Sequence, residues 1–161
     1  MSLTVTSTLF GDGEPIPSSA AHTSAGGENV SPDLSWSDLP EGTQSVAVTC
    51  YDPDAPTTVG FTHWVLFNLD PDTRQLPAGA GASGENPAGS TMGYTDYGVS
   101  EYGGMGPPPG DPPHHYRFTV YALDTRLDDL GSSATYAYFR FSIRGHVLDE
   151  GTLTGTYQAD G

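Results

Sequence analysis

Residues 61–69 read FTHWVLFNL, an apolar run broken only by Thr62, His63 and Asn68. On a period of two, Phe61, His63, Val65 and Phe67 fall on one face, and Trp64 and Leu66 on the other. Apolar side chains on both faces predict a central strand covered on both sides. Such a strand needs partners, and the chain offers them. Residues 45–51, SVAVTCY, put Val46, Val48 and Cys50 on one face. Residues 114–123, HHYRFTVYAL, put His114, Tyr116, Phe118, Val120 and Ala122 on one face and His115, Arg117, Thr119 and Tyr121 on the other. Residues 3–10, rich in Thr and Val, read as a first strand, and 151–157, GTLTGTY, as a final strand.

Between these runs lie most of the 21 glycines and 14 prolines, which suits short strands joined by ordered loops. The best helix candidate is 133–144, SATYAYFRFSIR, opened by Ser132 or Ser133 as N-cap and closed before Gly145. The fold class expected is mainly β and mostly antiparallel, with one helix near the C-terminus. A chain of 161 residues fits one domain, 1–161, with one core. Residues 71–113 form a long stretch without periodicity, and a loop of that length in a compact domain is usually functional or disordered. Tyr94, Tyr97 and Tyr102 argue for order, because aromatic rings bury area.

Charge narrows the function. Twenty acidic side chains face five basic ones, all arginine, for a formal charge of −15. That balance repels phosphate backbones and anionic lipid, so neither nucleic-acid nor membrane binding is expected. An acidic surface without lysine also suits the cytosol of a halophile, where concentrated salt screens self-repulsion. Cys50 is the single cysteine and cannot form an intrachain disulfide. The opening MSLTVTSTLF has neither a basic start nor a long apolar run, and the expected location is the cytoplasm.

Three stretches carry chemistry. YDPDAPT, Tyr51 to Thr57, holds Asp52 and Asp54 around Pro53, with Pro56 following. Proline fixes φ, so these carboxylates are held rather than floppy. His63 interrupts the apolar run eleven positions after Asp52, where a nearby carboxylate would raise its pKa and fix its tautomer. YGGMGPPPGDPPHHY, Tyr102 to Tyr116, has Gly103, Gly104 and Gly106, which permit close backbone approach to a ligand. Their successive N–H groups could form an anion-binding nest, with His114 and Tyr116 emerging on one strand face beyond.

Taken in this order, the three stretches resemble the phosphatidylethanolamine-binding protein family, also called Raf kinase inhibitor-like proteins, in its prokaryotic branch. The resemblance rests on Asp52-Pro53-Asp54-Ala55-Pro56, on His63 in HWVLFN, on Gly106-Pro107-Pro108, and on His114-His115-Tyr116. SPDLSWSDLPEGTQS and GHVLDEGTLTGTY add to it. It implies a large central antiparallel sheet, a smaller sheet packed on it and a helix near the C-terminus. It also implies a small pocket for phosphate, phosphorylated head groups or carboxylates. The matching positions are Asp52, Asp54, Pro56, His63, Gly104, Gly106, His114 and Tyr116.

The chain departs from the family pattern at two places. His115 stands where the family usually has arginine, so cationic support there is lost at high pH or shifted to Arg117. Met105-Gly106 replaces a frequent Pro-Cys.

The expected function is binding of a small anion, without catalysis, cofactor or metal, in a regulatory or sensing role. In that reading protonated His63 and His114 supply charge, and Asp52 orients an imidazole. The alternative is a hydrolase or other enzyme using Asp52, His63 and His114, and a third reading is a zinc-type site adding Asp54. An exposed apolar strand edge would allow a protein partner or a homodimer.

Overall fold

In the computed structural model, which describes residues 3–160, the apolar runs become strands. In chain order they are β1 (Val5–Thr6), β2 (Leu34–Trp36), β3 (Ser45–Asp52), β4 (Phe61–Leu69), β5 (Gln75–Leu76), β6 (Thr91–Met92) and β7 (His114–Leu123). The helix α1 (Tyr136–Ser142) and strand β8 (Val147–Tyr157) follow. A five-stranded sheet runs β6-β4-β3-β7-β8 and a three-stranded sheet runs β1-β2-β5, with antiparallel neighbours throughout.

Both faces of the large sheet are covered. One core cluster joins Val46, Val48, Cys50, Trp64, Leu66, Phe118 and Val120 to Leu34, Trp36 and Leu76 of the small sheet. A second, on the reverse face, joins Ala47, Val65, Phe67 and Tyr121 to Phe139 and Ile143 around the helix. This is the arrangement the family resemblance implies, with β4 fully flanked as its composition predicts.

Strict alternation fails in β4. Cys50 lies opposite Trp64 and Tyr51 opposite Thr62, so His63 is an extra residue, a β-bulge, without a partner across the ladder. The bulge moves the His63 ring to Phe61 and Tyr116, at 5.1 and 5.2 Å between centroids, while Val65 and Phe67 stay on the helix side. The expectation that all four share a face is therefore corrected.

Three boundaries also move. The first strand is only Val5–Thr6, because Ser7 and Thr8 turn to bond the Asp33 carboxylate at 2.9–3.1 Å. The helix cap is Thr135, not Ser132 or Ser133. Thr135 Oγ1 accepts the Tyr138 N–H, while the Ala134 carbonyl is already taken by the Tyr94 N–H. The last strand begins at Val147 rather than Gly151, pairing along the whole of β7. Leu34–Trp36, Gln75–Leu76 and Thr91–Met92 are strands too short to show a period in the sequence.

Candidate functional site

The register of β3 against β7 builds the site. Tyr51 pairs with Arg117, which brings the end of β3 and the Asp-Pro-Asp turn beside the start of β7. Asp52, 2% exposed, accepts the Asp54 N–H on Oδ1 at 2.8 Å and faces His114 Nδ1 with Oδ2 at 2.7 Å. Asp54 points outward, where its Oδ2 accepts the His115 N–H at 2.8 Å and meets His115 Nδ1 at 2.7 Å. One rigid turn thus clamps two successive histidines on opposite faces of a strand.

A cavity of about 270 Å³ opens beside this clamp. Asp52, Pro56, His63, Gly106, His114 and Tyr116 line it, as the sequence places them. Phe61, Tyr97, Ser24, Pro107 and Pro108 also line it and were not singled out as site residues. Tyr97 is the most consequential of these. It stacks on His22 at 4.5 Å, meets the edges of Phe61 and His63, and donates its hydroxyl to the Gly104 carbonyl at 2.6 Å. Its only trace in the sequence was an aromatic ring in a long glycine-rich stretch.

Two expected site residues lie off the wall. Asp54 is spent on His115. Gly104 donates its N–H to Asn29 Oδ1 at 2.7 Å, so that amide is not available for a nest. Arg117 faces the reverse side of the sheet, with Tyr121 and Arg140, and gives the cavity no charge.

The two imidazoles differ. His63 Nδ1 sits 2.8 Å from the Gly103 carbonyl, which requires an N–H there and leaves Nε2 as an acceptor. Burial pushes the His63 pKa below the ordinary value, against the upward pull of Gly103 and of the Asp52 charge. His114 is also buried, which pulls its pKa down, but the carboxylates of Asp52 and Asp111 more than offset this and raise it. Of the two imidazoles, His114 is the one favoured as a cation, and Asp52 orients His114 rather than His63.

Tyr116 completes the set. It is 1% exposed, and its hydroxyl makes no hydrogen bond of ordinary length among the described residues, with the Asp52 carboxylate near enough to act on it. Burial first, then the Asp52 charge, raise its pKa, so the hydroxyl keeps its proton. A buried orphan donor is uncommon, because each costs about 1–3 kcal/mol when left unpaired.

No three His, Cys, Asp or Glu side chains among the described residues are grouped to hold a metal ion. Cys50 lies in the core, where burial raises its thiol pKa. Ser24 Oγ lies 2.8 Å from His22 Nδ1, but that nitrogen also accepts the Ser24 N–H at 3.1 Å, as a turn cap does. Among the described residues no helix is long and apolar enough to cross a membrane.

The family model for phosphatidylethanolamine-binding protein matches residues 6–158. YbhB of Escherichia coli is 42% identical over 149 residues, which is 91% of this chain and 94% of the relative. A protein of Methanothermobacter thermautotrophicus is 44% identical over 149 residues, 92% and 94% of the two chains. The crystal structure of E. coli YbcL, a member of the mammalian PEBP family, has a TM-score of 0.94 at 37% identity, covering 99% of this chain and 100% of its own. A homologue from Chlamydia trachomatis has a TM-score of 0.84 at 32% identity, covering 99% of each chain.

Proposed function

The chain belongs to the phosphatidylethanolamine-binding protein family, a ligand-binding fold, and from that premise we propose that it is a non-enzymatic binder of a small anion. The ligand class is phosphate, a phosphorylated head group or a carboxylate, bound in a regulatory or sensing role. The observation that carries this reading is the Tyr116 hydroxyl, buried, protonated and unpaired at the cavity beside His114. The Tyr116 phenol supplies a donor, His63 Nε2 an acceptor for an acid O–H, and the His114 Nε2–H a second donor once Asp111 gives up its hold on it. A singly protonated phosphate matches that set better than a dianion. The volume suits a head group rather than a whole lipid, since pockets for drug-sized ligands run about 300–1,000 Å³.

Catalysis by His114 is disfavoured, because both of its nitrogens face carboxylates and neither has a free lone pair to act as base. Binding stands ahead of a hydrolase reading in which His114 is the base.

Calorimetry with phosphate and with acetate tests the proposal. Acetate stays ionised from pH 6 to 9, so its own titration does not intrude. Dissociation constants on the order of micromolar to millimolar are expected at pH 6. Above the raised pKa of His114 the ring loses a proton. Asp52 retains the one on Nδ1, so Nε2 turns a lone pair toward the anion. Affinity for both probes should fall about tenfold or more by pH 9. His114→Ala should weaken binding far more than His115→Ala, whose ring pairs with Asp54 outside the cavity. Affinity independent of pH, or equal loss in the two variants, would reject the account.

The acidic surface supports a second element of the proposal, a cytoplasmic protein adapted to concentrated salt. Its melting temperature is expected to rise with KCl through the molar range, as screening relieves repulsion within a chain of charge −15. A melting temperature already maximal in dilute buffer would remove this element.

A further inference from the structure

His114 Nε2, the nitrogen an anion would need, is already engaged. Asp111 Oδ2 lies 2.9 Å from it, three residues earlier in the chain. The two carboxylates on this ring differ in kind. Asp52 is buried and anchored by the Asp54 N–H. The Asp111 side chain is 35% exposed, and His114 is its one hydrogen-bond partner among the described residues. Asp111 sits in GPPPGDPP, Gly106 to Pro113, and Pro107 and Pro108 of this segment form one wall of the cavity. The backbone around it is tied down by the Asp111 N–H to Pro108 and by Gln158 Nε2 to the Asp111 carbonyl. Only the side chain is free to leave.

We propose that Asp111 is an internal ligand of the site: its carboxylate holds the position on His114 that a small anion takes, so that binding exchanges one anion for another. The inference rests on the anion-binding reading above. Its physical basis is effective concentration. A group tethered three residues away competes at millimolar concentration or higher, whatever the external ligand. Every anion that needs the His114 N–H is weakened by the same factor, so Asp111 sets a threshold concentration and leaves the ranking among anions unchanged. The unpaired Tyr116 hydroxyl fits this arrangement, because Asp111 satisfies the ring but not the phenol, and an external oxyanion satisfies both.

Calorimetry at pH 6, where the Asp52-supported imidazole stays charged, provides the test, with inorganic phosphate and acetate as probes. Asp111→Ala should tighten both by about tenfold. Asp111→Asn, which keeps an acceptor but loses the charge, should fall between. Asp124→Asn, at the far end of β7 and paired with His146, controls for general charge removal and should change neither constant by more than about twofold. Measurable binding with equal constants in the parent and Asp111→Ala overturns the inference and leaves anion binding standing. No binding to parent or variants at tens of millimolar overturns the anion reading and the inference together.

Discussion

Asp52→Ala is expected to lower stability by about 3 kcal/mol at pH 6 and to abolish measurable phosphate binding. Removing one partner of a buried ion pair costs about 3–5 kcal/mol, and the lower end applies because Asp111 keeps a counter-charge on the other nitrogen of His114. The variant also strands the Asp54 N–H and releases the turn that carries Asp54 to His115. The pH dependence identifies the mechanism. His114 has its pKa raised in the folded state, so its contribution is complete below the unfolded value of about 6.5 and is lost as pH rises through the folded value. The cost of Asp52→Ala should therefore shrink between pH 6 and pH 9 in urea unfolding, leaving the part due to the neutral Nδ1–H and the Asp54 amide. A cost that is flat across that interval would show that His114 carries no charge in the folded protein. His63 runs the other way. Its lowered pKa means that the unfolded chain gains a proton below about pH 6.5 before the folded one does, so His63 destabilises the protein as pH falls.

The long strands were legible because their burial is two-sided and their composition extreme. FTHWVLFNL and HHYRFTVYAL can satisfy that much apolar surface only at the centre of a sheet, and β4 and β7 have the expected bounds. Which of these residues lie around one cavity was also largely legible. Asp52, His63, His114 and Tyr116 do share one cavity, through the antiparallel register of β3 with its two neighbours. The partnerships within the site were not. Alternation assumes an unbroken ladder, and the bulge at His63 is fixed by how β4 meets β3, which no local pattern reports. Sequence distance put Asp52 nearest His63, yet strand pairing brings His114 to it across 62 positions. Asp111 stands among prolines in a stretch without periodicity, so nothing local marks its side chain as a partner of His114. The two-residue strands were missed because they owe their conformation to a neighbouring strand.

The glycine loop shows why residue type alone misled, and Gly104→Ala makes the point measurable. Gly104 suggested close approach to a ligand. The close approach is instead to the chain itself. A Cβ at Gly104 would collide with the Ala20 carbonyl oxygen and lie 2.5 Å from Ala21 C and His22 N, all backbone atoms that cannot rotate away. Gly104 does not have a positive φ, so the obstacle is space rather than conformation. Segment 103–105 would have to retreat. It would loosen the His22 N–H bond to the Met105 carbonyl, the Tyr97 hydroxyl bond to Gly104 and the Gly103 carbonyl that holds His63. Overpacking of this kind costs about 1–3 kcal/mol, and in a chain of this size each kcal/mol lowers the melting temperature by about 2–4 °C. Gly104→Ala should therefore melt several degrees lower and bind phosphate about tenfold more weakly, because Tyr97 and His63 lose their anchors together. Gly106→Ala is the matched control. It lines the cavity, yet its nearest neighbour would be the Tyr97 hydroxyl at 3.3 Å, an atom at the end of a side chain, so stability should change little. If Gly104→Ala melts within a degree of the parent while Gly106→Ala does not, the loop presents its backbone to the ligand after all, and the interlock of segments 20–22 and 103–105 is not what shapes the cavity.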